Sequence, residues 1–252
     1  MLKSNPSNSK QVMKSLILLI LVSIGSIYLV RSTTGKQAPA KASVANLESA
    51  SPAERLRQYR KWDVSTKRDT SVKDLFPTIP EKEFNGFFHA YPEYISDGFD
   101  FPVGKPNAKG YFKAQLFGEN MHLGEDWNGV GGGNTDLGDP VYSISNGLVT
   151  FSRDVCCGWG NVIRVVHRLP NHPEFQYIEA VYAHMHSINV KAGDLIKRGQ
   201  QIGTIGNANG RYSAHLHLEM RSFINMSLGP GYSEDLYGYE DPSTFILQHR
   251  PR

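Results

Sequence analysis

Apolar residues first gather in one unbroken stretch, positions 15–30, which run for 16 residues without a charge before Arg31 closes them. A run of this length lies between a signal-peptide core and a full spanning helix, and it predicts a membrane-targeting segment. The small triplet Ala38-Pro39-Ala40 sits too far beyond the run for a cleavage site. The expectation is therefore an uncleaved, single-pass N-terminal membrane helix with the N-terminus in the cytoplasm. Residues 32–51 are rich in Ser, Thr, Ala, Gln and Lys and predict a flexible stalk. Residues 52–75 set Leu56, Tyr59, Trp62 and Val64 among basic neighbours, a pattern that suits a short helix near a bilayer or a solvated one.

Beyond Pro102 the pattern shortens to alternating or β-branched runs at 141–145, 148–152, 162–168, 176–184 and 201–205. Asn146-Gly147, Ala192-Gly193-Asp194 and Arg198-Gly199 separate them as turns. Short strands at this spacing predict an all-β, mainly antiparallel domain, a sandwich or open barrel of the barrel-sandwich-hybrid kind with short peripheral helices. Asp241-Pro242-Ser243 offers an N-cap and a proline for the first helical position, so a short closing helix is expected there. The aromatic stretch at 84–101 is expected to pack against the domain, with a sugar-binding groove as the alternative use. The expected organisation is a tail and anchor at 1–31, a stalk at 32–76 and a folded domain at 77–252.

Composition supports one turn-rich globular unit, since 24 glycines and 14 prolines accompany 40% hydrophobic residues. The net charge of +3 conceals an asymmetry: residues 1–76 hold 13 Lys/Arg against 5 Asp/Glu, and residues 77–252 hold 14 against 19. A basic arm thus precedes a mildly acidic domain, which favours a membrane surface or a polyanion as the arm's neighbour. Nucleic acid is excluded as a partner class, because no zinc-finger cysteines, helix-turn-helix pattern or aromatic RNA-binding motif accompanies the charges.

Three polar clusters interrupt the apolar pattern. In the run Ala214-His215-Leu216-His217-Leu218-Glu219, a strand would bury the leucines and turn both imidazoles and the carboxylate to the other side. Two histidines on one face suit a metal, although a lone His-x-His is more often an ordinary strand pair. In Met121-His122-Leu123-Gly124-Glu125-Asp126, an extended chain puts His122, Gly124 and Asp126 on one side, and the bare glycine leaves room between two competent ligands. The plain alternative is a turn with Glu125 and Asp126 exposed. In Tyr182-Ala183-His184-Met185-His186, alternation places Tyr182, His184 and His186 on a shared face, and nothing local decides which histidine would approach a metal.

Together the clusters resemble the zinc metallopeptidase family of lysostaphin and the LytM-type peptidoglycan endopeptidases. That family carries His-x-x-x-Asp, a later Tyr-x-His and a final His-x-His, matched here by His122/Asp126, Tyr182/His184 and His215/His217. Gly138-Asp139-Pro140-Val141, Asn146-Gly147, Gly158-Trp159-Gly160-Asn161 and Val190-Lys191-Ala192-Gly193-Asp194 follow the family pattern too, so the likeness spans about 99–221. It departs at Ser213-Ala214, Met185 and Leu218, where the family usually has a Gly-Pro-like pair, leucine and an aromatic residue.

The resemblance implies Zn2+ held by His122, Asp126 and His217, with the fourth position open to water. It implies His215 as general base and His184 as support for the charge on the scissile carbonyl oxygen. Glu219 would orient a ligand histidine or simply face solvent. Peptidoglycan peptides, cut outside the bacterial cell membrane by a tethered domain, are the implied substrate, and a protein activator is left open. The competing class is a catalytically inactive or autoinhibited relative that regulates wall enzymes. A biotinyl- or lipoyl-type carrier is disfavoured, because the turn Ser145-Asn146-Gly147 offers no lysine.

Two further features stay apart from this reading. The loop Gly129-Val130-Gly131-Gly132-Gly133-Asn134 would shape a groove or lie on the surface, and it lacks the lysine of a phosphate loop. Cys156 and Cys157, the two cysteines of the chain, are adjacent, so no ordinary structural disulfide is implied. They are read as two unremarkable thiols, with a redox-sensitive pair beside the Trp159 turn as the alternative.

Overall fold

A computed structural model describes residues 79–251. The anchor expected at 15–30 and the stalk at 32–76 lie outside them. Among the described residues no helix is long and apolar enough to cross a membrane.

The strands are β1 (Tyr111–Gln115), β2 (Glu125–Gly129), β3 (Pro140–Tyr142), β4 (Gly147–Asp154), β5 (Asn161–Arg168), β6 (Tyr177–Met185), β7 (Ser187–Ile188), β8 (Leu195–Ile196), β9 (Gln201–Thr204), β10 (Leu216–Arg221) and β11 (Tyr239–Glu240). The larger sheet runs β1-β2-β10-β6-β5-β4-β8, with β11 on β10, and the smaller runs β3-β9-β7. Every pairing among them is antiparallel. The two sheets share one core, in which Val141 and Ile202 of the small sheet join Ile163, Val165, Ile178, Tyr182, Leu216 and Leu218 of the large one. The predicted strands therefore form within a few residues of their expected bounds, and the all-β expectation holds.

The closing helix, α2 (Pro242–Gln248), begins as its sequence predicts: Asp241 accepts a hydrogen bond from the Thr244 amide at 2.9 Å, and Pro242 opens the first turn. A second helix, α1 (Glu81–Ala90), was not foreseen within the aromatic stretch. Phe84, Phe87 and Phe88 sit at the i, i+3, i+4 spacing of one helical face and pack on Leu148, Val166 and Tyr177. Packing, not a sugar groove, is what those rings do.

The opposite face of the large sheet carries charge. Val162, Val181, Ala183 and Leu228 make a small apolar patch there, and Glu179, Glu219, Arg164 and Arg221 lie buried on the same sheet. Strand β10 is consequently buried along its whole length. The face that carries His217 and Glu219 is therefore buried as well as the leucine face. Glu125 is a correction, since it is fully buried and not part of an exposed acidic pair. Lys113 Nζ lies 3.1 Å from it and the Ser243 hydroxyl donates to it at 2.6 Å. Burial still raises its pKa against both of those bonds.

His167 gives the fold a pH dependence. Its ring is fully buried, Nδ1–H donates to the Asn146 carbonyl at 2.9 Å, and Nε2 has no partner among the described residues. Burial pushes its pKa down to about 4, against the opposing effect of the Asn146 bond. The unfolded histidine takes its proton near pH 6.5 while the folded one resists, so stability present above that pH is lost on acidification. The expected loss is about 3 kcal/mol between pH 6.5 and pH 4. Urea unfolding across that window checks it: if a His167→Gln variant is as acid-sensitive as the parent, the assignment is wrong.

Candidate metal centre and cleft

Three neighbouring strands build the site. β10 lies between β2 and β6, and its register sets His217 opposite Asp126 on one side and opposite Ala183 on the other. Directly opposed residues share a face, so Asp126 and His217 meet as cross-strand neighbours. His122 arrives from the turn before β2, where Asn120 and Met121 take left-handed conformations. Gly124 lets the chain cross there, because a Cβ would stand 2.4 Å from the Leu218 carbonyl oxygen and 3.0 Å from His217 Cε1. The vacancy expected at this glycine is thus filled by β10 itself.

His122 Nε2, His217 Nδ1 and Asp126 Oδ1 converge. Their separations are 3.0 Å between the imidazoles, 2.9 Å from His217 to Asp126 and 3.3 Å from His122 to Asp126. A tetrahedral ion with bonds near 2.0–2.2 Å would space its ligands by about 3.3 Å, close to this triangle. Electrostatics agree with the spacing. Burial disfavours an imidazolium at His217, but hydrogen bonds to Asp126 and Glu219 and their charges push its pKa up to about 9. Burial likewise opposes ionisation of Asp126, yet bonds from His122 and His217 and the charges of His217 and His215 hold its carboxyl well below the usual range. Positive charge is favoured at this point, and the N, N, O donor set suits a zinc ion.

Beneath the triangle runs a buried ionic chain. His217 Nε2 donates to Glu219 Oε1 at 3.1 Å, and Arg221 grips Glu219 Oε2 through Nε at 2.8 Å and through a terminal nitrogen at 2.5 Å. Burial works against the Glu219 carboxylate, but the charge of Arg221 and the bond from His217 keep its pKa below normal. Of its two expected orientations, Glu219 thus takes the one against the histidine. Arg221 also donates to the Ser227 and Leu228 carbonyls at 3.0 and 2.9 Å, and Arg164, paired with Glu179, donates to the Met226 carbonyl at 2.8 Å. Two buried guanidiniums therefore fasten the segment that leads to the cleft wall at Pro230, Gly231 and Tyr232.

His184 and His215 stand on the open side of the triangle, their ring centroids 4.7 Å apart. His215 Nδ1–H donates to the Ser213 carbonyl at 2.8 Å, and Nε2 lies 3.7 Å from Asp126 Oδ2. His184 Nδ1–H donates to the Trp159 carbonyl at 3.3 Å. A carbonyl can only accept, so each ring carries its proton on Nδ1 and frees Nε2. Burial, then the charges of His217 and His215, push the His184 pKa down to about 3.

Strict alternation would have put His184 with Tyr182. Instead Tyr182 enters the main core while His184 joins the site, because a φ of +60° at His184 ends the alternation there. His186, the rival candidate, is exposed. The structure therefore brings His122, Asp126, His184, His215 and His217 together.

The cleft above them encloses about 160 Å³, walled by Gly158, Trp159, Tyr212 and the Pro230–Tyr232 turn. Sequence reasoning missed Tyr212 and Tyr232 as walls. Tyr232 lies 5.2 Å from the His122 ring, and a backbone bridge joins the two residues. Its one sequence signal is the Gly-Pro-Gly-Tyr turn at 229–232. The glycine-rich loop does not line the cleft; Asn134 Oδ1 accepts the Ala214 amide at 2.7 Å and so pins the approach to β10. A disulfide joins Cys156 to Cys157, which overturns the expectation of two free thiols. Both cysteines take left-handed conformations in the turn that holds them.

Residues 121–228 match the model of peptidase family M23. Across 84 residues the chain is 32% identical to lipoprotein NlpD of Yersinia enterocolitica, a match covering 33% of this chain and 78% of that protein. It is 34% identical over 84 residues to cell division protein DipM of Caulobacter vibrioides, covering 33% of this chain and 13% of that one. Against lysostaphin of Staphylococcus simulans it is 32% identical over 107 residues, covering 42% of this chain and 19% of that one. The solved structure of that peptidase aligns at 26% identity over 55% of this chain and 50% of that chain, with a TM-score of 0.41. The chain thus spans under a fifth of the length of DipM and of lysostaphin. The matched stretch opens one residue before His122 and closes beyond Arg221, so it takes in the whole triangle, and with most of NlpD aligned the chain belongs to peptidase family M23.

Proposed function

We propose that this chain is a membrane-anchored zinc metalloendopeptidase that hydrolyses peptide bonds in peptidoglycan. The observation that carries the reading is the triangle of His122 Nε2, Asp126 Oδ1 and His217 Nδ1 with two further imidazoles on its open side. Zn2+ held by those three atoms supplies the Lewis acidity that makes water a nucleophile near neutral pH. His215, its Nδ1–H fixed by Ser213, takes the water's proton on Nε2 and returns it to the leaving amine. His184, fixed by Trp159, donates from Nε2 to the carbonyl oxygen once it carries a second proton. Burial opposes that proton, which would be taken from solvent as negative charge develops opposite the ring. Glu219 holds the His217 ring in the tautomer that presents Nδ1.

The domain at 77–252 would be tethered by the segment at 15–30 and the stalk at 32–76. Relatives named as a lipoprotein and a cell division protein support a place in the cell envelope, outside the cytoplasmic membrane. A silent regulator is the second reading. All five site residues are present and assembled, which favours the enzyme.

The test is to incubate the zinc-loaded full-length chain with purified peptidoglycan and count new amino termini by mass spectrometry. Termini are expected, and removing the metal with a chelator or replacing His217 by alanine should return the count to background. If the zinc-loaded parent yields none, the enzyme reading falls and the regulator stands.

A further inference from the structure

The hairpin between β4 and β5 carries a feature that the proposed chemistry does not use. Asp154 pairs with Asn161, and the loop between them holds the Cys156–Cys157 disulfide, with both cysteines exposed. Both cysteines have left-handed φ, +60° and +53°. Consecutive non-glycine residues stay in that region only where the surroundings over-determine them. Here the link between the two side chains acts together with Asp154 Oδ1, which accepts the Cys156 amide at 2.8 Å, and with the Cys156 carbonyl, which accepts the Gly160 amide at 3.0 Å.

Two residues on is Trp159, the part of the loop that touches the site. Its carbonyl accepts both the His184 amide, at 3.0 Å, and the His184 ring nitrogen. Its indole N–H donates to the Gly229 carbonyl at 3.0 Å, tying the loop to the opposite wall, and its ring stands edge-on to His217 at 5.4 Å. Gly158, between disulfide and tryptophan, leaves the gap that the Tyr212 hydroxyl enters, since a Cβ there would lie 2.9 Å from it. One short loop thus joins an exposed disulfide to the carbonyl that fixes His184.

We propose that Cys156–Cys157 is a thiol–disulfide exchange site through which a dithiol reductant sets the position of His184 and with it the turnover of the cleft. The second half rests on the peptidase reading above. A thiolate of the dithiol attacks one Sγ, the Cys156–Cys157 bond breaks and a mixed disulfide forms. The second thiolate then displaces that cysteine and closes the reductant's own disulfide. Two electrons reach the cysteines, each departing thiolate takes a proton, and two thiols remain. Freed from each other, Cys156 and Cys157 leave the left-handed region, and the Trp159 carbonyl shifts away from His184.

The test compares the zinc-loaded full-length chain before and after dithiothreitol, with reductant removed and zinc re-measured, beside a Cys156→Ser/Cys157→Ser variant. Histidine ring nitrogens are followed by NMR, with His184 assigned by its loss in His184→Gln, and peptidoglycan cleavage is assayed in parallel. Reduction should shift the His184 signals and slow cleavage by about tenfold. Reoxidation should restore both, and the double variant should resemble the reduced chain and ignore the reductant. His184 signals that are unchanged on reduction overturn the proposal whatever the assay gives, as does alkylation of both cysteines before reduction. A shift in His184 with equal cleavage in both states overturns the regulatory half. Absence of cleavage in every state alongside a reversible His184 shift defeats the peptidase reading and leaves the exchange site standing.

Discussion

Replacing Arg221 by alanine is expected to lower folding stability by about 3–5 kcal/mol, the scale seen when one partner of a buried pair is removed. Arg221 has no exposed surface. Its removal strands the equally buried Glu219 without its main counter-charge and leaves the Ser227 and Leu228 carbonyls unpaired. Glu219 would then either stay charged in a dry site or protonate, and in both cases its grip on His217 Nε2 changes. On the proposed zinc reading, affinity for the ion should accordingly fall by about 10–100-fold. Urea unfolding of the metal-free chain and competitive zinc titration measure the two effects. Because the cost lies in the orphaned charge, an Arg221→Met/Glu219→Leu pair should be less destabilised than Arg221→Ala alone. If Arg221→Ala unfolds within about 1 kcal/mol of the parent, the ionic chain is not what holds this face together.

The second large effect separates the histidines by role. On the proposed assignment His215→Ala leaves the triangle of ligand atoms intact but removes the proton acceptor, so turnover should drop by about 10²–10⁴-fold with zinc content unchanged. His122→Ala removes a ligand, and zinc itself should be lost. Atomic emission on dialysed protein, together with peptidoglycan cleavage, tells them apart. Should His215→Ala shed zinc as completely as His122→Ala, the two histidines share a role and the division between base and ligand fails.

Both predictions concern residues whose readability in the sequence differed. The site histidines and Asp126 stood out as the polar half of period-two alternations, which survive into strands with little alteration, but it was the resemblance that joined them into one site. The face of His184 was not readable in that way. Alternation assumes extended backbone at each step, whereas His184 takes a φ of +60° and bonds to Trp159, 25 residues earlier. Arg221 was silent for a related reason. Its burial comes from the segment around Ser227 and Leu228 folding over β10, an event the strand's own residues do not encode. Helix α1 was readable in principle, through the spacing of Phe84, Phe87 and Phe88, but the density of aromatic residues masked the period. The disulfide required knowing that Cys156 and Cys157 both turn left-handed.

The place of β10 between β2 and β6 bears on how the protein is made. Synthesis delivers β2 and then β6, yet in the finished sheet those two strands are not paired, because the slot between them belongs to a strand that has not yet been translated. His122, Asp126 and His184 must therefore wait on the nascent chain, and His215 and His217 complete the centre only when β10 inserts. A ribosome stalled before residue 215 would display a chain with three of the five site residues and no centre. On the proposed reading the chain is born inert, and a metal would find its site complete only as one of the last events of folding.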